Sequence, residues 1–142
     1  MNHLKPSEIL EATVNSGVAK AEGSFKKLLV LGILAGAYIA FAGAAANMGA
    51  FNLLLGAETF GLGKILSGTI FTGGIIMVTL AGAELFTGNS LMTLAALEKK
   101  TTVAKVLRNW VIVYIANFIG SLLIAWMVCN LSLIHISEPT RH

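Results

Sequence analysis

Read from the amino end, the chain alternates between segments of helical periodicity and long apolar runs. Pro6 and Ser7 suit a helix start, and Ile9, Leu10, Val14 and Val18 then recur at helical spacing. Glu8, Glu11, Lys20 and Glu22 occupy other positions, so residues 1–27 predict an amphipathic segment at a membrane face. A first span follows Lys26 and Lys27, from Leu28 to about Met48. Gly49 to Gly63 reads as a connection too apolar for a free loop. The second apolar run, Ile65 to Leu97, is 33 residues long. As one straight helix it would reach roughly 50 Å, against a hydrocarbon core of roughly 30 Å. Either it tilts strongly or it breaks. Near its centre lie a carboxylate, a threonine, a glycine and an asparagine. The expected form is therefore two half-helices, Ile65 to about Ala83 and a shorter one ending near Leu97, separated by a break at Glu84–Gly88. Asn89 or Ser90 is the expected cap of the second piece. A third span runs from about Val106 to Val128, with Trp110, Tyr114 and Trp126 placed for interfacial belts.

Composition supports this reading. Of 142 residues, 56% are hydrophobic and 12% charged, with mean hydropathy +0.79. Soluble domains carry about 25% charged residues, so the chain is expected to be an integral membrane protein with the lipid bilayer as its first partner. The net charge of +3 lies outside the apolar runs, which points to topology and not to nucleic acid. Lys5, Lys20, Lys26 and Lys27 precede the first span, and Lys99, Lys100, Lys105 and Arg108 follow the broken run. Only Lys64 lies between the first two spans. The positive-inside rule then puts the N-terminus in the cytoplasm, and the chain is expected to be a multi-pass protein of the inner (plasma) membrane. A single cysteine, Cys129, excludes an intrachain disulfide and a multi-cysteine metal site. No cofactor or metal is expected.

Broken backbone at membrane depth is tolerated where it is buried in protein or lines a wet cavity. The stretch Ala83-Glu84-Leu85-Phe86-Thr87-Gly88-Asn89 is thus a candidate pore element. Freed N–H groups and the start of the second half-helix present partial positive charge, and the Thr87 hydroxyl adds a rotatable donor. Glu84 is expected to be structural, accepting hydrogen bonds from N–H groups of its own loop. A bare carboxylate on an anion path would repel the ion. Asn117 is expected to bond a neighbouring helix. An intramembrane enzyme built on Glu84 is disfavoured, because no second titratable group lies within the spans. Half of an aquaporin is disfavoured by the lack of an Asn-Pro-Ala motif.

Two stretches carry a more specific likeness. Gly82-Ala83-Glu84-Leu85-Phe86-Thr87-Gly88-Asn89 and Arg108-Asn109-Trp110-Val111-Ile112-Val113-Tyr114, followed by Asn117-Phe118-Ile119-Gly120, resemble the second and third spans of the formate/nitrite transporter family. The likeness leans toward its hydrosulfide-channel branch. It implies an all-α membrane protein: an amphipathic N-terminal helix, then three spans over residues 28–129, the second broken by a pore loop. That unit would be the first of two inverted repeats of an aquaporin-like channel fold, assembled as a homopentamer with a pore in each protomer. The expected activity is passage of small monovalent anions. The resemblance places Leu85, Phe86 and Thr87 along the pore, with Thr87 near its centre, and Phe71 and Ile75 at a cytoplasmic constriction. Glu84, Gly88 and Asn89 would shape the pore loop. Apolar rings at a dry constriction favour passage of the permeant partly as its neutral acid. The chain supplies the first repeat alone, so the expectation is a truncated half of a channel, with a non-conducting membrane fragment as the alternative. Residues 130–142, ending Ser-Leu-Ile-His-Ile-Ser-Glu-Pro-Thr-Arg-His, depart from the apolar pattern and resemble translated adaptor sequence. His135 and His142 are therefore not offered as ligands, and Asn130-Leu131-Ser132 is given little weight as a glycosylation acceptor.

Overall fold

The computed structural model describes residues 5–137, and their side chains as far as Leu131. All regular structure among them is helical: α1 Pro6–Ala21, α2 Phe25–Leu55, α3 Phe60–Leu80, α4 Phe86–Asn89, α5 Met92–Leu97 and α6 Val103–Ser137. Three of these, α2, α3 and α6 (as far as Leu131), are long and apolar enough to cross a membrane.

The α1 helix starts as its sequence predicts. Pro6 takes the first position, where a missing N–H costs nothing, and the Lys5 N–H donates to Glu8 Oε2 at 2.6 Å. Its buried stripe is Val14, Gly17 and Ala21. The Ser24 hydroxyl then accepts from the Lys27 N–H at 3.4 Å and opens α2.

The α2 helix overruns its expected end. It continues through residues 49–55, and Gly56, in extended backbone, stops it. Ala50 is fully buried there, so packing holds helical a segment whose composition looked like a connection. The link to α3 shrinks to residues 56–59. Thr59 closes it by donating its hydroxyl to Leu53 O at 2.8 Å, satisfying a carbonyl of the last α2 turn. The α6 helix likewise begins earlier than Val106 and continues beyond residue 129 to Ser137. The side chains from residue 132 onward, His135 included, and residues 138–142, His142 included, lie outside the described residues.

Packing fixes the directions. Gly74 of α3 faces Ala42 and Tyr38, and Gly63 faces Leu53, so α2 and α3 are antiparallel. Gly32 faces Ala116, while Gly36 and Gly120 face Asn117 and Ile33, so α2 and α6 are parallel. The α2 helix is thus central, with α3 on one side and α6 on the other. At Gly36 a Cβ would fall inside the Asn117 backbone, and at Gly120 inside that of Ile33. Only glycine permits this approach, which brings two backbones into direct dispersion contact. The outer faces of α3 and α6 stay apolar and exposed, among them Ile65, Ile76, Leu80, Val111 and Phe118. Such a surface belongs in lipid or against another membrane segment.

The broken run returns to the end from which α2 starts. There α1 runs antiparallel to α5, with Gly17 against Ala95 and Met92. Ala21, Met92 and Val106 form a small buried cluster that ties α1, α5 and α6 together, with Ala96 and Trp110 packed against it.

Candidate functional site

The second apolar run breaks through a helix stop written into residues 78–83. Gly82 takes a left-handed conformation, φ +59°. Its N–H bonds Thr79 O at 3.2 Å, and the Ala83 N–H bonds Val78 O at 3.0 Å. This pair of reverse bonds is the Schellman ending, which favours glycine at that position. The break therefore covers residues 81–85, a few residues earlier than the expected Glu84–Gly88. Gly88 and Asn89 lie inside the short helix α4.

A broken span must satisfy its freed backbone groups. Asn117 of α6 does much of this. Its Nδ2 donates to Glu84 O at 2.9 Å and to Gly32 O at 2.8 Å, and its Oδ1 accepts from the Phe86 N–H at 2.9 Å. The Glu84 N–H donates to Leu31 O of α2 at 3.1 Å. Asn117 thus joins a neighbouring helix as expected, and also fixes both flanks of the break.

The Glu84 side chain differs from expectation. Its carboxylate does not turn to N–H groups of its own loop. Oε2 instead accepts from the Lys20 ammonium at 2.8 Å, with Glu84 only 8% exposed. The partner titratable group comes from α1, outside the spans. The same ammonium donates to Asn89 Oδ1 at 2.8 Å. Asn89 Nδ2 donates to Asn109 Oδ1 at 2.8 Å, and Asn109 Nδ2 donates to Lys20 O at 2.9 Å. The bonds close a ring through α1, α4 and α6. Asn89 and Asn109 are fully buried within it, and Trp110 Nε1 donates to Asn89 O at 3.0 Å. Asn89 is therefore not a helix cap: residue 91 holds that position for α5, and no side chain caps it.

Above this ring opens a cleft of about 490 Å³, lined by Lys20, Ile75, Val78, Thr79, Gly82, Ala83, Glu84, Leu85, Thr87 and Gly88. The structure thus brings Ile75, Leu85, Thr87, Glu84 and Gly88 onto one cavity. Phe71 lies one turn from Ile75 along α3 and outside it. Phe86 turns the other way, edge-on to Trp110 and Tyr114 at 5.9 and 5.6 Å between ring centroids. Asn89 lies buried beneath it.

Thr87 differs from the threonines of α3. Thr69, Thr72 and Thr79 each donate a hydroxyl one turn back, to Ile65, Gly68 and Ile75 at 2.8–2.9 Å. The Thr87 hydroxyl makes no hydrogen bond among the described residues and stands exposed on the cleft. Chemically, the cavity offers one free hydroxyl, apolar walls, and a Lys–Glu pair whose charges offset each other.

Sequence reasoning missed Lys20 and Asn109. The available signal for Lys20 was only the intramembrane Glu84 with no partner within the spans, which calls for a cation from outside them; the buried stripe Val14–Gly17–Ala21 beside Lys20 is visible only in the structure. Asn109 stands inside the motif Arg108-Asn109-Trp110, but its partners lie 20 and 89 residues away, so no local pattern assigns it a role.

Three apolar helices, one pair joined backbone to backbone and one interrupted at a supported break, define a multi-pass membrane protein. The sequence model of the formate/nitrite transporter family matches residues 7–140, and the chain belongs to that family. It is 33% identical over 135 residues to a probable formate transporter of Methanothermobacter thermautotrophicus, covering 94% of this chain and 49% of that protein. It is 37% identical over 124 residues to the formate channel BtFdhC of Bacillus thuringiensis, covering 86% and 47%. With the formate channel FocA of Haemophilus influenzae it shares 34% over 131 residues, covering 88% and 43%. The chain spans about half the length of the curated relatives it matches.

Proposed function

We propose that this chain is the pore-forming first half of a channel or transporter for small monovalent anions, with formate the first permeant to test. The observation that carries the reading is the Thr87 hydroxyl, unbonded and exposed on a cleft at the point where the second span breaks. An anion leaving water needs donors to replace its hydration, and an uncommitted hydroxyl at a backbone break supplies one. The Lys20–Glu84 pair supports the reading, because it lets a carboxylate border the cleft without repelling the ion. Ile75 and Leu85 form apolar walls, and Phe71, one turn along α3, extends that wall toward a constriction. Phe86 serves the pathway indirectly, by anchoring α4 to α6. The names of the relatives favour formate, while nitrite and hydrosulfide share its size and charge.

In this reading the three spans are one of two inverted repeats, and the assembly is a homopentamer in the inner membrane with α1 in the cytoplasm. The cations at the α1 end, Lys26, Lys27, Lys99, Lys100, Lys105 and Arg108, support that orientation. A second reading, insertion without conduction, is favoured by the exposed face of α3, which leaves the cleft open on one side: Ile75 is 43% and Leu80 83% exposed.

Uptake of radiolabelled formate into proteoliposomes separates the two. Conduction predicts flux above empty vesicles, a loss of at least tenfold in Thr87→Val, and a rise as pH falls toward the permeant's pKa. Flux no greater than that of empty vesicles sinks the conducting reading for the 142 residues alone. Wild-type flux in Thr87→Val removes Thr87 from the path.

A further inference from the structure

We propose that the rim where α2 and α6 begin is a binding surface for the phosphodiester headgroup of an anionic phospholipid. The two helices run parallel and start side by side. Arg108 Nη1 donates to Gly23 O at 3.4 Å, and Lys105 Nζ lies 3.5 Å from Glu22 Oε1. Lys26 and Lys27 stand in the first turn of α2, around the same corner. Lys26, Lys27, Lys105 and Arg108 are all exposed. Glu22 is the one carboxylate bonded to any of them among the described residues, and that pair is open to solvent, with side-chain exposures of 51% and 63%. Contrast Lys20, whose ammonium is held at 2.8 Å by two partners. The charge of the rim is therefore available.

Its placement makes the charge unfavourable within the protein alone. The first turns of α2 and α6 contain no acidic residue, so these cations add to the positive ends of two helix dipoles. An anion seated between them offsets both. Because α2 and α6 are membrane spans, their first turns sit at headgroup depth. On the same turns Phe25, Val103 and Leu107 expose more than half of their surface. A free phosphate has no use for those apolar groups, whereas acyl chains do, so the ligand fitted by the rim is a lipid.

The test uses the whole 142-residue chain in phosphatidylcholine bilayers carrying trace spin-labelled phosphatidylglycerol or phosphatidylcholine. The fraction of each label immobilised by the protein is measured by electron paramagnetic resonance. At low salt the phosphatidylglycerol label should be preferred by at least about fivefold, the effect of a single juxtamembrane cation, and the preference should fall in about 1 M salt. The variant Lys26→Gln, Lys27→Gln, Lys105→Gln, Arg108→Gln should abolish it. The two half-variants, one per helix, should each lose part, which keeps the test open if the fourfold variant fails a helicity check by circular dichroism. Lys99→Gln with Lys100→Gln, at the same end but in the next loop, should retain the preference. No preference in the wild type, an undiminished one in both half-variants, or an equal loss in the Lys99/Lys100 variant overturns the proposal. So does displacement of the label by inorganic phosphate beyond that by chloride of equal ionic strength.

Discussion

Along the α2–α6 seam backbone meets backbone, whereas around the break long side chains reach in from three elements. At the seam Gly36 and Gly120 bring the two backbones into contact, and only the short side chains of Asn117 and Ser121 reach across, donating to Gly32 O at 2.8 Å and Gly36 O at 3.2 Å. At the break, Lys20, Glu84, Asn89, Asn109 and Asn117 hold α1, α4 and α6 together through bonds of 2.8–2.9 Å. The seam works by shape and is insensitive to charge. The break works by donor and acceptor matching, and each missing partner leaves a buried group stranded. The difference places rigidity between the spans and chemistry at the interruption.

The largest effect should come from filling the seam. Gly36→Leu must drive α2 from Asn117 along the length of two helices, so overpacking should cost about 3 kcal/mol or more. Reversible unfolding in mixed micelles measures this. A loss below 1 kcal/mol would mean that the two helices are not in backbone contact.

Next is the ion pair. Lys20→Met strands the Glu84 carboxylate and the side-chain Oδ1 of Asn89, both buried. Removing one partner of a buried pair costs about 3–5 kcal/mol, and partial exposure of Lys20 lowers the expected loss to about 2–3 kcal/mol. Adding Glu84→Gln to Lys20→Met should recover part of that loss, since the stranded charge is gone. A double variant no more stable than Lys20→Met alone would show that the carboxylate charge is not what the lysine compensates.

These regions were unequally legible in the sequence. The three spans, the amphipathic start and the existence of a break follow from local periodicity and length, which are properties of neighbouring residues. Gly32 and Gly36 make a small-residue pair of the spacing that permits close helix contact, but such pairs are common in apolar helices, and the spacing does not say which helix they meet. The polar ring is different in kind: Lys20 lies 64 residues from Glu84 and 69 from Asn89. No local pattern links them, and Lys20 read as one more cation beside the membrane. The position of the break differs from expectation for a related reason. The polar residues Glu84 to Gly88 stand out in the sequence, whereas Gly82, one of many glycines in an apolar run, is the residue whose left-handed backbone ends α3. The far end of α2 lies beyond its expected place because burial of Ala50 overrides a weak local preference.

A smaller effect is expected at Asn117, which belongs to both regions. Asn117→Ala removes bonds to Gly32 O, Glu84 O and the Phe86 N–H at once. The small alanine leaves the glycine seam intact, and three hydrogen bonds near the low end of about 0.5–1.5 kcal/mol each put the loss at about 2 kcal/mol. Hydrogen exchange should speed at Phe86 and its neighbours while the amides of α2 and α6 stay protected. Equal acceleration in both places would show that seam and break open as one unit.

The smallest effect is the sharpest check on what the glycines do. Gly43 lies two turns beyond Gly36 along α2, yet a Cβ there meets only the edge of the Phe71 ring, at an ordinary 3.9 Å. The helix should therefore accept Gly43→Ala. Alanine is favoured over glycine in a helix by roughly 1 kcal/mol, and that gain acts partly through the unfolded chain. Stability should hold or rise, by up to about 1 kcal/mol, against the large loss at Gly36. The pair asks whether glycine in this chain is a general packing device or a requirement of one crossing. Equal penalties at both positions would extend the backbone seam outward along α2. A penalty at Gly36 alone confines it to the level of Asn117, the turn of α6 that also braces the break.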